Sequence, residues 1–263
     1  MTNKQIRRHS YKSYIHNVWG FLGVCVLAAM PLALNWAANV VVTPSLSHVI
    51  YLLIAIAGYP LSIGVIRYFY REFHGERSFV NEIFCYYKAK HLAGALLLGV
   101  FFAGIDFVSR QVNIIFQGLE AQNPMWFLWL IIIFLPMLYI SYRLFLVPYV
   151  YINASTPLTA IRESIKKTRG YVFDIMVFNI SIFFAPFLFL AVLTVAIFAL
   201  FNDIQALFMA RFIGVFLIPF QPYISLCLAG FAAELLRERI KTKKSLRNSH
   251  CKKRYRYKID WFD

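Results

Sequence analysis

Charge is scarce in this sequence, and acid is scarcer still. Charged residues fill 15% of the 263 positions, with 27 Lys or Arg against 12 Asp or Glu. So little charge excludes a soluble domain, because a chain that is 60% hydrophobic would then expose large apolar patches to water. Cysteine is also sparse. Cys25, Cys85, Cys227 and Cys251 are widely spaced and form no CxxC pair, so neither a disulfide framework nor a zinc site is indicated. Strand-like alternation over about ten residues does not recur, which argues against a membrane barrel. Catalytic signatures are missing as well: there is no GxxxxGK[ST], no HExxH and no GxSxG. His74 and His91 lie near Glu72, Glu76 and Glu82, but their spacing encodes no metal site. We therefore expect no catalytic residue, no metal, no cofactor and no enzyme activity.

What is present is apolar sequence in long blocks. Six stretches, roughly 17–42, 48–70, 91–110, 125–150, 171–201 and 212–236, are each about as long as the ~20 residues a helix needs to cross a bilayer. Basic residues fall in alternate connections. Residues 1–16 hold four, the 71–90 loop four, the 153–170 loop four and the 237–263 tail eleven. The opposite loops hold only Arg211, with Arg110 at an edge. Lys and Arg are retained in the cytoplasm, so both termini are expected inside. The expected fold is an all-α, polytopic membrane helix bundle. It has six transmembrane helices and two cytoplasmic interfacial helices, with residues 1–240 as the membrane domain and 241–263 as a basic cytoplasmic tail. The basic start followed by an apolar run resembles a signal peptide, but the run exceeds the usual 7–15-residue signal core, so a retained first span is expected.

A net charge of +15 would suggest nucleic acid for a soluble protein. Here most of the excess lies beside span ends, where anionic lipid headgroups are the nearer partner, at about 1 kcal/mol per Lys or Arg. Membrane lipids are thus the expected partner, other membrane proteins a second class, and nucleic acid is not expected. Lipid contacts are assigned to Arg162, Lys166, Lys167 and Arg169 in the second basic loop. In the tail they are assigned to Lys243, Lys244, Lys252, Lys253, Arg254 and Arg256, among Tyr255, Tyr257, Trp261 and Phe262.

Within the spans, Pro31, Pro60, Pro136, Pro148, Pro186, Pro219 and Pro222 each remove a backbone hydrogen bond and favour a kink. Ala95, Gly99 and Ala103 form a small-residue stripe for close packing, within the chain or between two copies. In the second basic loop Thr156 suits a cap, Pro157 the first helical position and Gly170 the stop. On that helix Leu158, Ile161 and Ile165 share one face and Arg162, Lys166 and Arg169 another. It would lie on the headgroups or dock under the bundle. The first loop reads alike, with Ser78 as cap and Phe79, Ile83, Phe84 and Tyr87 as the apolar side. Pro60, Arg67 and Phe69 match Pro136, Arg143 and Phe145 in spacing, through parallel duplication or by chance.

Ionisable residues in or beside apolar stretches are expensive, and are usually paired or functional. Asp106 and Arg110, four apart, read as a local ion pair. Arg67, Arg143 and Glu234 lie toward the inner ends of the second, fourth and sixth spans, with Asp174 at the start of the fifth. They are the candidate intramembrane charge cluster, with Glu234 as the shared carboxylate and Asp174 as the alternative.

The stretches PLSIGVIRYF, LPMLYISYRLFLVPYVYI, LTAIRESIKKTRGYVFDI and PYISLCLAGF follow one another in an order that resembles a bacterial family of six-span proteins catalogued as domain of unknown function 975. That family is similar to the membrane domain of some glycerophosphodiester phosphodiesterases. The resemblance runs from the N-terminus to Phe231 and is most specific around Ala160, Ile161, Ser164 and Gly170. It implies a multi-pass protein of the bacterial inner (cytoplasmic) membrane and carries over no catalytic residue. Three function classes stay open: a non-enzymatic organising, anchoring or accessory protein, a transporter or permease component, and an inner-leaflet lipid-modifying enzyme, in that order.

Overall fold

The structure is a computed structural model that describes residues 2–41, 44–120, 126–153, 156–200 and 219–237. All regular structure among them is helical. The chain runs through α1 (Asn3–His16), α2 (Val18–Val41), α3 (Pro44–Phe73), a 3-10 helix (Val80–Tyr87), α4 (Ala89–Glu120), α5 (Trp126–Leu144), α6 (Val147–Tyr151), α7 (Pro157–Thr168) and α8 (Val172–Leu200). A last helix, α9, covers 221–237. Three segments, Val18–Asn35, His48–Phe73 and Ala89–Val112, are long and apolar enough to cross a membrane. Val172–Phe184 and Pro186–Ile197, bent by 40°, make a fourth if the pair is one span.

Neighbouring long helices run antiparallel, as ring and backbone contacts show. Phe21 meets Phe69 at 5.6 Å between α2 and α3, and Tyr59 stacks on Phe102 at 5.2 Å between α3 and α4. Phe178 stacks on Phe231 at 4.2 Å and Phe189 meets Phe220 at 5.6 Å between α8 and the α9 region. The small-residue stripe closes the α3–α4 seam. Ala95, Gly99 and Ala103 are buried, and a Cβ on Gly99 would stand 2.9 Å from the Ile56 carbonyl oxygen. The stripe therefore serves packing within the chain.

The core gathers at one end of the bundle. Its members are Phe21 and Val24 at the start of α2, Tyr68 and Phe69 late in α3, and Leu98 early in α4. Ile175 and Phe178 early in α8 and Leu226 and Ala232 of α9 complete it. Helices of alternating direction bring those positions together, and the 3-10 helix, α6 and α7 pack at the same end. Elsewhere on the same helices Leu34, Leu53, Val108 and Val192 are exposed.

Four sequence expectations change here. The fourth apolar stretch is not one rod: α5 ends at Leu144, Phe145 and Leu146 turn, and Pro148 enters α6 at its first turn. Proline has no N–H to donate back into the preceding turn, so the helix restarts. The 3-10 helix is capped by Phe79 without a side-chain bond, not by Ser78, whose N–H donates to Glu72 Oε1 at 3.0 Å. Its buried side is Ile83 and Tyr86, three apart as a 3-10 period demands, while Phe79, Phe84 and Tyr87 are exposed. On α7 the buried face is Ala160, Ser164 and Thr168, while Leu158 and Ile165 are exposed. The cap by Thr156 and the stop at Gly170, with φ of 89°, stand as expected.

Candidate functional site

The break between α5 and α6 is the joint on which this end of the molecule is built. Ending α5 at Leu144 frees its last carbonyls, which need new donors if they are to be buried. Two hydroxyls from α7 gather at one of them: Ser164 Oγ donates to the Arg143 carbonyl at 2.8 Å, and Thr168 Oγ1, whose nearest acceptor is the Ser164 carbonyl at 2.8 Å, stands 3.2 Å from it. Both donors are fully buried, and Ala160, one turn earlier, lets α7 approach closely. The five-residue α6 beyond the break sinks four side chains, Val147, Tyr149, Val150 and Tyr151, into the core. Tyr149 reaches Tyr70 at 6.0 Å, and Tyr151 reaches Tyr86 at 5.9 Å.

The other basic connection is locked onto α3. The Ile83 carbonyl lies so close to Gly64 that a Cβ there would stand 1.8 Å from its oxygen, so only glycine fits. Arg71 bonds Glu76 at 2.9 Å and also bonds Glu82. Together with the bond from Glu72 to Ser78, these contacts engage the three loop carboxylates in positioning the loop. His74 Nδ1 meets the Tyr70 carbonyl at 2.7 Å. Among the described residues no group of three His, Cys, Asp or Glu is arranged to hold a metal ion. Burial pushes the Tyr86 phenol up to about 12, and the nearby Arg67 only partly offsets this.

The four charged candidates divide. Arg67 points its Nη1 at Cys85 Sγ, 3.5 Å away, beside Tyr86. Arg143 lays its guanidinium 5.8 Å from the centre of the Tyr139 ring. Asp174 and Glu234 line one pocket of about 210 Å³. Asn3 and Ile6 of α1, Tyr171 before α8, and Phe231 and Leu235 of α9 complete its wall. Neither Arg67 nor Arg143 lines that pocket. The Asp106–Arg110 pair forms at 3.2 Å, and Tyr51 completes it by donating to Asp106 beneath the Arg110 guanidinium.

Of the lipid-contact candidates, Arg162 and Lys166 are exposed on α7 and Arg169 is exposed at its C-terminal cap, and Lys167 pairs with Glu163 at 2.8 Å. Lys243, Lys244, Lys252, Lys253, Arg254 and Arg256 lie outside the described residues. Sequence reasoning missed α1. The signal was there: Thr2 and Gln5 form a capping box, and Ile6 and Ser10, four apart, make its buried face. No family model, no curated protein and no solved structure matches this chain.

Proposed function

We propose that the chain is a six-span protein of the bacterial cytoplasmic membrane, with both termini inside. In this reading it organises, anchors or assists other membrane components without catalysis, in contact with anionic lipids. The observation that carries the reading is the gathering of the core, the 3-10 helix and α7 at the end where the basic connections emerge. A rigid cytoplasmic platform with exposed cations suits attachment to headgroups or to acidic partners. Leu158, Arg162, Ile165 and Arg169 on the open side of α7 combine apolar and basic groups in the way an interfacial helix does. Glu72, Glu76 and Glu82 of the first loop are engaged in holding that loop against α3. The resemblance to the domain of unknown function 975 family agrees with this reading and rests on the quoted stretches alone.

The test is native mass spectrometry of the protein released from membranes of mixed lipid. Phosphatidylglycerol should be retained over phosphatidylcholine, and Arg162→Gln with Lys166→Gln should reduce that preference. Equal retention of both lipids would overturn the lipid contact. The second reading, a transporter component, is favoured by the broken α5–α6 and by the 40° bend at Pro186. Solute flux in reconstituted vesicles would support it.

A further inference from the structure

We propose that α1 is a second membrane-surface anchor, which binds the anionic leaflet through one stripe of its exposed face. This deepens the membrane reading above and rests on it. Four basic residues, Lys4, Arg7, Arg8 and Lys12, lie on or beside this helix's exposed side, and α1 contains no acid; the first in the chain is Glu72. At helical spacing Lys4, Arg8, Tyr11, Lys12 and Ile15 fall on one side. All five are exposed, Tyr11 and Ile15 at 56% each. The stripe is graded: Lys4 and Arg8 come first, Tyr11 and Lys12 follow, and Ile15 comes last, next to the start of α2.

The opposite side of α1 is occupied, which fixes the direction in which the stripe points. Ile6 and Ser10 are buried, and a Cβ on Gly230 would stand 2.9 Å from Ile6 Cγ2, so α1 and α9 lie in close contact. His9 Nε2 meets the Phe73 carbonyl at 3.1 Å, and its ring lies edge-on to the Phe73 ring at 4.9 Å. Tyr14 donates to the Pro219 carbonyl at 3.0 Å. A single residue, Asn17, separates α1 from the membrane-length α2, and Trp19 just beyond it is 85% exposed. A helix docked on one side and joined this closely to a span is held at the bilayer surface. Its cations then meet phosphates while Tyr11, Ile15 and Trp19 enter the headgroup–acyl boundary. Charge complementarity selects an anionic leaflet over a neutral one.

The experiment places an environment-sensitive fluorophore at Tyr11→Cys, in full-length protein whose Cys85 and Cys251 are serine, reconstituted in nanodiscs. Quenching by spin-labelled lipid is read in phosphatidylglycerol-containing discs and in pure phosphatidylcholine discs. A control probe at Leu97→Cys reports the exposed flank of α4, where Leu97 is 63% exposed. Quenching at both positions is expected. At Tyr11 alone, it should be stronger with phosphatidylglycerol, and that excess should vanish with salt or with Lys4→Gln, Arg8→Gln and Lys12→Gln together. Quenching at Leu97 without quenching at Tyr11 overturns the anchor and leaves the membrane reading intact. No quenching at Leu97 overturns the membrane reading itself. Tyr11 shielding that depends on protein concentration, or on added nucleic acid, also overturns the proposal by assigning the stripe to another partner.

Discussion

Ser164 and Thr168 show how two small side chains decide the position of a whole helix. Ser164 donates to the Arg143 carbonyl, and Thr168, whose nearest acceptor is the Ser164 carbonyl at 2.8 Å, stands 3.2 Å away and can turn to it when Ser164 is lost, so either alone keeps that oxygen partnered. Thr168→Val should therefore cost little, and Ser164→Ala about 1 kcal/mol. The double variant should lose more than the sum, because the carbonyl is then buried without a donor. Thermal unfolding in detergent reads this, and additive losses would count against the shared acceptor. Gly64 makes a simpler case. Gly64→Ala sets a methyl against the backbone of Ile83, and a displaced 3-10 helix should cost about 1–3 kcal/mol or more. Wild-type stability in that variant would mean that the seam opens freely.

At the scale of elements, three or four of the apolar blocks and the caps of α7 were legible in the sequence, while the cap of the 3-10 helix and the docking faces were not. Thr156, Pro157 and Gly170 bound α7 because caps act through local geometry. The face α7 buries, however, is Ala160, Ser164 and Thr168, with Ile161 half-buried beside it, whereas the apolar pattern of Leu158, Ile161 and Ile165 left docking or lying on the headgroups open. Small and hydroxylated residues carry no hydrophobic signal, yet they allow the closest approach and supply the donors a broken helix needs. The 3-10 helix misled in another way: its three-residue period buries Tyr86 beside the expected Ile83, and an α-helical period selects Phe79, Phe84 and Tyr87 instead. Depth along a span says nothing of which way a side chain faces, so the sequence could name the charge-cluster residues but not their neighbours: Asp174 and Glu234 line one pocket. Arg67 turns to the 3-10 helix and Arg143 to Tyr139. Tyr86 offers a test of the docked 3-10 helix. Its phenol is raised by burial to about 12, above the ordinary value near 10. The folded state thus holds the proton more tightly. The stability this brings is fully present below about pH 10 and is lost as pH rises through about 12. Absorbance titration of wild type against Tyr86→Phe should show one phenol missing from the high-pH phase, and a loss from the phase near pH 10 would contradict the burial.

For the whole molecule, one pattern unites sequence and structure. Among the described residues, the basic segments 2–16, 71–90 and 156–170, the short docked helices and the packed core belong to one end, while the far parts of the long helices carry exposed apolar side chains. A bilayer accounts for that asymmetry, because lipid covers apolar flanks that water would not tolerate. Among the described residues three helices, or four with the bent α8, have the length and composition to cross it. The central claim is that the basic end faces the cytoplasm. The most direct measurement is labelling of single cysteines by an impermeant maleimide in intact cells and in inverted membrane vesicles. Cysteine at Ile165 on α7 should react only in inverted vesicles, and cysteine at Gln117 near the end of α4 only in intact cells. Labelling of position 165 from outside intact cells would contradict the account.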